Sequence, residues 1–261
     1  MPLQAALIAM IAWLLTACSP KEPSSPMDTP ASNQSVDRLA QLLDQLADTD
    51  DIDRSVEAIS LLESEAAPDW LPRLHQALET PDDFYLREGV APAVIRLEGM
   101  VALPRLIAAL RLGFAEGHDC DGLQAGATDL IESDPSAAIA LLLPMANSSD
   151  SADRADAAWL LGFVHSEVSP EIFVRLAADE SPRVRRAACG SLASLKGHEP
   201  AFQMLIRRLD DTDEEVRISA MSSLGYFGDS RALPLLERLL GSSSERARHI
   251  LDYAISSLKK P

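Results

Sequence analysis

Residues 211–240 recur, with variations, along most of this chain, and a fixed period of that kind leaves few folds open. They read Asp-Thr-Asp-Glu-Glu-Val-Arg, then Ala220, Leu224-Gly225, Ala232-Leu233-Pro234 and Leu240. Residues 179–209 carry the same order as Asp179, Val184-Arg185, Ala188, Leu192, Phe202, Leu205 and Leu209, and residues 148–177 as Arg154, Ala157, Leu161-Gly162, Ile172 and Leu176. Upstream, Arg87, Val90, Val94, Leu97 and Ala102-Leu103-Pro104 fall on Arg217, Ala220, Leu224, Phe227 and Ala232-Leu233-Pro234 at one offset (217 − 87 = 130). That offset holds four periods of roughly 32 residues, a spacing diagnostic of stacked repeats. Weaker copies near 51–78 and 118–145 bring the array to about six units between Val36 and Leu240, opened by 36–47 and closed by Glu245 to Leu258.

Apolar residues at i, i+3, i+4 and i+7 predict two short helices per unit, each with one apolar stripe. A lone hairpin cannot bury both stripes, so neighbours must stack. Pro72, Pro104 and Pro234 fall where the second helix of a unit begins, and a first-turn proline forfeits no intrahelical bond. Gly162, Gly225 and Gly228 stand near the ends of first helices, where a left-handed cap is expected. Aromatic residues make up 5% of the chain against 47% apolar residues, so small aliphatic side chains must do the packing. That composition suits stacked helices better than a β-sandwich.

The 211–240 pattern resembles a HEAT repeat of the phycobilin-lyase-like subtype. In that subtype an acidic turn, Val-Arg, a small residue and Leu-Gly mark helix A, and Ala-Leu-Pro-x-Leu opens helix B. The resemblance implies an all-α fold, a right-handed α-solenoid of about six hairpins over residues 36–261. It also implies a ladder of ion pairs between repeats, built from the Asp179 and Asp211 positions with Arg87, Arg154, Arg185 and Arg217, and a concave surface lined by B helices.

The apolar run from Ala5 to Thr16 ends in Leu15-Thr16-Ala17-Cys18. About a dozen residues are too few to span a ~30 Å hydrocarbon core as a helix. The motif resembles the lipobox of a bacterial lipoprotein, which implies lipidation of the Cys18 sulfur and cleavage after Ala17. The expected plan is a signal peptide at 1–17, a lipidated Cys with a Pro/Ser-rich linker at 18–35, and the solenoid at 36–261. Pro20, Pro23, Pro26 and Pro30 favour an extended spacer reaching roughly 50 Å. Ser19 after the lipidated Cys implies the outer membrane, facing the periplasm.

Signatures of catalysis are lacking: no phosphate-cradling glycine loop, no His-Glu-x-x-His, no Gly-x-Ser-x-Gly and no Cys-x-x-Cys. No enzyme activity, metal or cofactor is expected. His118-Asp119-Cys120-Asp121 is dense in ligand types, but it falls where the period slips, and residues 113–122 are expected to be an inserted loop with Asp121 capping the next helix. The run Asp48 to Asp53 reads as a capping turn rather than a calcium loop. His75, His165, His198 and His249 are scattered over different units. Cys120 and Cys189 lie two repeats apart, beyond the ~7 Å Cα reach of a disulfide, so both are expected free, with Cys189 buried. Trp70, Trp159 and Phe202 read as core.

A net charge of −17 disfavours nucleic acid as a partner. Arginines nevertheless recur in register on helix B. Arg73 and Arg105 share one slot, and Arg175, Arg207 and Arg238 share another three residues on, so all five fall on one helix face. That stripe is the candidate surface for a protein partner; the competing reading is solvated arginines paired locally, as Arg175 could be with Glu171. The composite expectation is an envelope lipoprotein whose solenoid serves as a protein-binding scaffold or adaptor. Two alternatives stand beside it: a periplasmic immunity or inhibitor lipoprotein facing a toxin, and a bilin-lyase-like enzyme.

Overall fold

A computed structural model describes residues 30–48, 51–241 and 243–259. The signal segment, Cys18 and the spacer up to Thr29 lie outside the described residues. The chain divides into two units, 1–41 and 42–261. The described part of the first is the leading stretch of helix α1 (Pro30–Ala47), so helix begins inside the segment expected to be linker.

In the second unit each sequence repeat folds as an A helix followed by a B helix. The pairs are α2 (Ile52–Glu65) with α3 (Leu71–Leu78), α4 (Phe84–Glu98) with α5 (Leu103–Glu116), and α6 (Asp121–Ser133) with α7 (Pro135–Met145). They continue as α8 (Ser151–Leu160) with α9 (Pro170–Leu176), α10 (Pro182–Leu192) with α11 (Glu199–Arg208), and α12 (Glu214–Phe227) with α13 (Leu233–Leu239). Helix α14 (Glu245–Leu258) closes the series, and no strand occurs among the described residues. No described helix is long and apolar enough to cross a membrane.

The capping chemistry follows the sequence. Asp51, Asp83, Asp134, Asp150 and Asp213 cap A or B helices by accepting backbone N–H bonds, while Pro72, Pro104 and Pro234 sit in the first turns of B helices behind short 3₁₀ lead-ins. Each such cap is worth about 1 kcal/mol. The stripes meet between neighbours: Leu62, Leu74, Leu78, Val94, Leu106, Phe173, Leu192, Leu205 and Leu224 are fully buried, each contributing roughly 1.5–3 kcal/mol.

The expected ladder is present. Arg154 forks onto Asp179 through two bonds of 2.8 Å, and Arg185 forks onto Asp211 at 2.8 and 2.6 Å. Each arginine thus reaches the acid that opens the next repeat and turns its remaining Nη1 to two carbonyls of its own preceding turn. Arg217 keeps only that carbonyl half, on Asp211 and Thr212. Arg87, wholly buried, takes Glu116 instead of an aspartate.

Glu116 explains the slipped register. Residues 113–116 are not loop: they prolong α5 to Glu116, and Gly117 in the left-handed region ends it. The cap of α6 is Cys120, itself at φ 54°, with no side-chain cap bond, and Asp121 lies inside the first turn rather than capping it. Cys120 and Cys189 are both free and both buried. Burial pushes the Cys189 thiol up to about 12 and raises Cys120 as well.

Of the three glycines expected as caps, only Gly228 adopts a positive φ. Gly225 and Gly162 are required by close approach instead. A Cβ at Gly225 would stand 2.6 Å from the Ala254 Cα, and one at Gly162 would stand 2.5 Å from the Ser191 Oγ.

Candidate functional site

Consecutive A helices pack side by side for α2–α4, α4–α6, α8–α10, α10–α12 and α12–α14. At the sixth helix the series changes, because α6 meets the 3₁₀ segment Leu161–Glu167 rather than packing along α8. The prolonged end of α5 bridges the gap. Arg111 donates from Nη2 to Asp153 at 2.7 Å and from Nε to Asp156, both on α8.

A groove of about 810 Å³ opens there, touching α5, α6, α8, α10 and α12. Its floor is apolar: Trp159 and Ala155 from α8, Ala187 and Gly190 from α10, and Phe114 from the α5 extension. Phe114 is 44% exposed, and Phe163, whose ring stands edge-on to Trp159 at 5.9 Å, is also exposed. Trp70 and Phe202 are core as expected, whereas Trp159 is only half-buried and faces this groove.

The polar rim divides sharply between spent and unspent groups. Asp156 takes Arg111, Asp213 caps α12 through Val216 N–H at 3.0 Å, and both Glu215 oxygens accept from Arg246. Burial raises Asp156 above the usual carboxylate range despite Arg111 and Arg183 beside it, while the Arg111 bond and Ser148 hold Asp153 below it. Arg183 and Arg186 keep most of their donors. The first reaches Asp156 at only 3.4 Å, the second lies 4.0 Å from Glu215, and their side chains are 56% and 62% exposed.

The five arginines predicted to form the partner surface lie one to a B helix, on α3, α5, α9, α11 and α13. Two are committed to structure. Arg105 pairs with Glu79 at the end of α3, and Arg175 donates to the Ala146 carbonyl at the end of α7 at 3.3 Å. A cation at a helix C-terminus offsets its unpaired carbonyls, so these two join successive B helices. Glu171 turns to Ser169 and His198 rather than to Arg175. Arg73, Arg207 and Arg238 are exposed.

Four of the five histidines make contacts within the fold, while His249 is exposed on α14. His75 lies 3.0 Å from Glu98, His165 contacts the Gly162 carbonyl, His198 caps α11, and His118 stacks on Phe84. No cluster of three metal-ligating side chains exists among the described residues.

Residues 169–256 match the HEAT repeats family. That stretch covers the third-last hairpin's B helix to the closing helix. No curated protein matches the chain. Among solved structures, a designed armadillo repeat protein in complex with the peptide (KR)4 is 17% identical, with a TM-score of 0.47 over 85% of this chain and 99% of that one. YibA of Escherichia coli is 14% identical (TM-score 0.40; 92% and 100% covered), and the complex of CpcE and CpcF of phycocyanin lyase from Nostoc sp. is 19% identical (0.38; 92% and 99%). The fold rests on the packing described above rather than on these likenesses.

Sequence reasoning passed over Arg183, Arg186, Phe114 and Gly190. One signal was legible: Arg183 and Arg186 flank the ladder arginine at 185, on positions the repeat pattern does not require.

Proposed function

We propose that this chain is an envelope lipoprotein, tethered through Cys18 and facing the periplasm from the outer membrane, whose solenoid binds a segment of another protein. The observation that carries the reading is the groove across α6, α8, α10 and α12, with its half-exposed Trp159 and its unspent arginines. Repeat arrays offer such extended surfaces, and none of the residues around this one forms a nucleophile–base pair. The Leu15-to-Cys18 motif supports the anchor, and the proline-spaced stretch after it supports a reach away from the bilayer.

Chemical cross-linking in envelope fractions, followed by purification through the chain, supplies the partner. Its affinity is then measured against two double variants, Arg183→Glu with Arg186→Glu in the groove and Arg73→Glu with Arg207→Glu on the B helices. The groove pair should weaken binding at least tenfold, as expected where charge reversal sets like charges against the ligand beside an aromatic anchor, and the B-helix pair should matter less. The reverse ranking would return the binding surface to the arginine stripe.

A further inference from the structure

Gly190 is the groove residue that the fold itself does not explain. It lies within α10, where glycine is a poorer helix former than alanine, and its φ is not positive. A Cβ built there meets nothing within 4 Å, unlike those at Gly89, Gly113, Gly162 and Gly225, which would strike neighbouring side chains or backbone. A bare, exposed backbone in the same groove as the exposed Arg186 and the half-buried Trp159 is what a ligand main chain needs to come close.

The rim chemistry gives that ligand its charge. Both Glu215 oxygens are engaged by Arg246, one Asp156 oxygen by Arg111 with the other facing Arg183 at 3.4 Å, and one Asp213 oxygen by a backbone N–H, so much of the rim's negative charge is already paired. Arg183 and Arg186, with side chains 56% and 62% exposed, still hold several N–H groups each. The groove crosses α8, α10 and α12, three helices packed side by side at roughly 8–10 Å, which gives about 16–20 Å of groove, the length of some five or six extended residues at ~3.3 Å each. An extended segment therefore fits better than a compact small molecule.

We infer that the groove takes an extended acidic peptide segment: a large apolar side chain seats between Phe114 and Trp159, the main chain crosses Gly190, and flanking carboxylates engage Arg183 and Arg186. This rests on the protein-binding reading above and adds the partner's chemistry to it. Arginine forks favour carboxylates by paired, charge-assisted bonds, and aromatic anchors in apolar pockets carry much of such interfaces.

The test uses the full chain and three fluorescein-labelled nonapeptides with one central Phe, flanked by Glu, by Gln or by Lys. Fluorescence polarisation should show the Glu peptide binding at least tenfold more tightly than the Gln peptide, with an affinity that falls as salt rises. Arg183→Glu with Arg186→Glu should remove that preference, and both positions are exposed, so an unchanged melting profile certifies the fold. Gly190→Phe, which fills the open space, should abolish binding of all three peptides. Equal binding of Glu and Gln peptides, or preference for Lys, overturns the inference while leaving a peptide groove. A cross-linked partner whose contacting segment carries no acid overturns it too. Tight Glu-peptide binding that survives Gly190→Phe overturns both the inference and the groove reading.

Discussion

Arg111 and Asp153 are joined at 2.7 Å, tying the end of α5 to α8 although two helices, α6 and α7, lie between them in sequence. Asp156 shares the same guanidinium, so one cation holds two carboxylates that would otherwise repel. Arg111→Ala leaves both acids on a part-buried surface. The expected cost is about 1–3 kcal/mol, a fall in melting temperature of roughly 2–4 °C per kcal/mol for an array of this size. Because that clamp also sets the groove wall, partner affinity should drop with it, which calorimetry and binding on the same sample would show.

The ladder gives a larger effect. Asp211 and Arg185 are both buried, with 2% of the Asp211 side chain exposed. Asp211→Asn should cost about 3–5 kcal/mol, since it leaves a buried guanidinium without its counter-charge. Arg217→Ala, which removes only bonds to carbonyls, should cost clearly less. Denaturant melts of the two variants rank them.

Acid should dismantle the ladder in a definite direction. The Arg154 bond, with Ser181 N–H behind it, holds Asp179 below its ordinary value; at Asp211 burial pushes upward, and Arg185 with Asp213 N–H overcomes it. A depressed carboxylate contributes stability that is complete above the unfolded value near 3.9 and is lost as pH falls through the lower folded value. Asp156, raised, acts oppositely, its contribution fading as pH rises through its folded value. With the ladder acids outnumbering it, stability should decline below about pH 4, and Asp211→Asn should flatten that decline.

Two glycines separate packing from function. Gly225→Ala should destabilise by about 1–3 kcal/mol, because its Cβ would stand 2.6 Å from the Ala254 backbone. Gly190→Ala should stabilise by about 0.5–1 kcal/mol, since nothing opposes the added methyl and helix propensity favours it. Thermal melts with opposite signs are the expected outcome.

How far the sequence carries the fold depends on what kind of contact is asked about. Arg154, Arg185, Pro72 and Pro234 were legible because their roles are local or repeat at a fixed period. The end of α5 was not. Glu116 pairs with Arg87 from 29 residues away where other rungs span 25 or 26, and only the folded chain shows that the added residues lengthen a helix to deliver that acid. Trp159 sits at a core spacing, yet spacing cannot tell that α6 turns aside and leaves the ring without a full set of neighbours. The arginine stripe shows the same limit: register placed Arg105 and Arg175 on B helices, but not the Glu79 and Ala146 acceptors that occupy them.

Anchoring is tested separately. In a bacterial host, labelled palmitate should enter the chain only when Cys18 is present, and Cys18→Ala should leave an uncleaved or soluble form. Equal labelling of the variant would remove the lipoprotein reading and leave the groove untouched.

The proposed binding groove is tested most directly by photo-cross-linking in a bacterial host that produces the chain. A benzoylphenylalanine replaces Ala115 at the groove rim in one strain and Arg207 on the B-helix face in another. The account predicts a partner adduct from position 115 that disappears with Arg183→Glu and Arg186→Glu, and little or none from position 207. An adduct from position 207 alone, unaffected by those two changes, would contradict it.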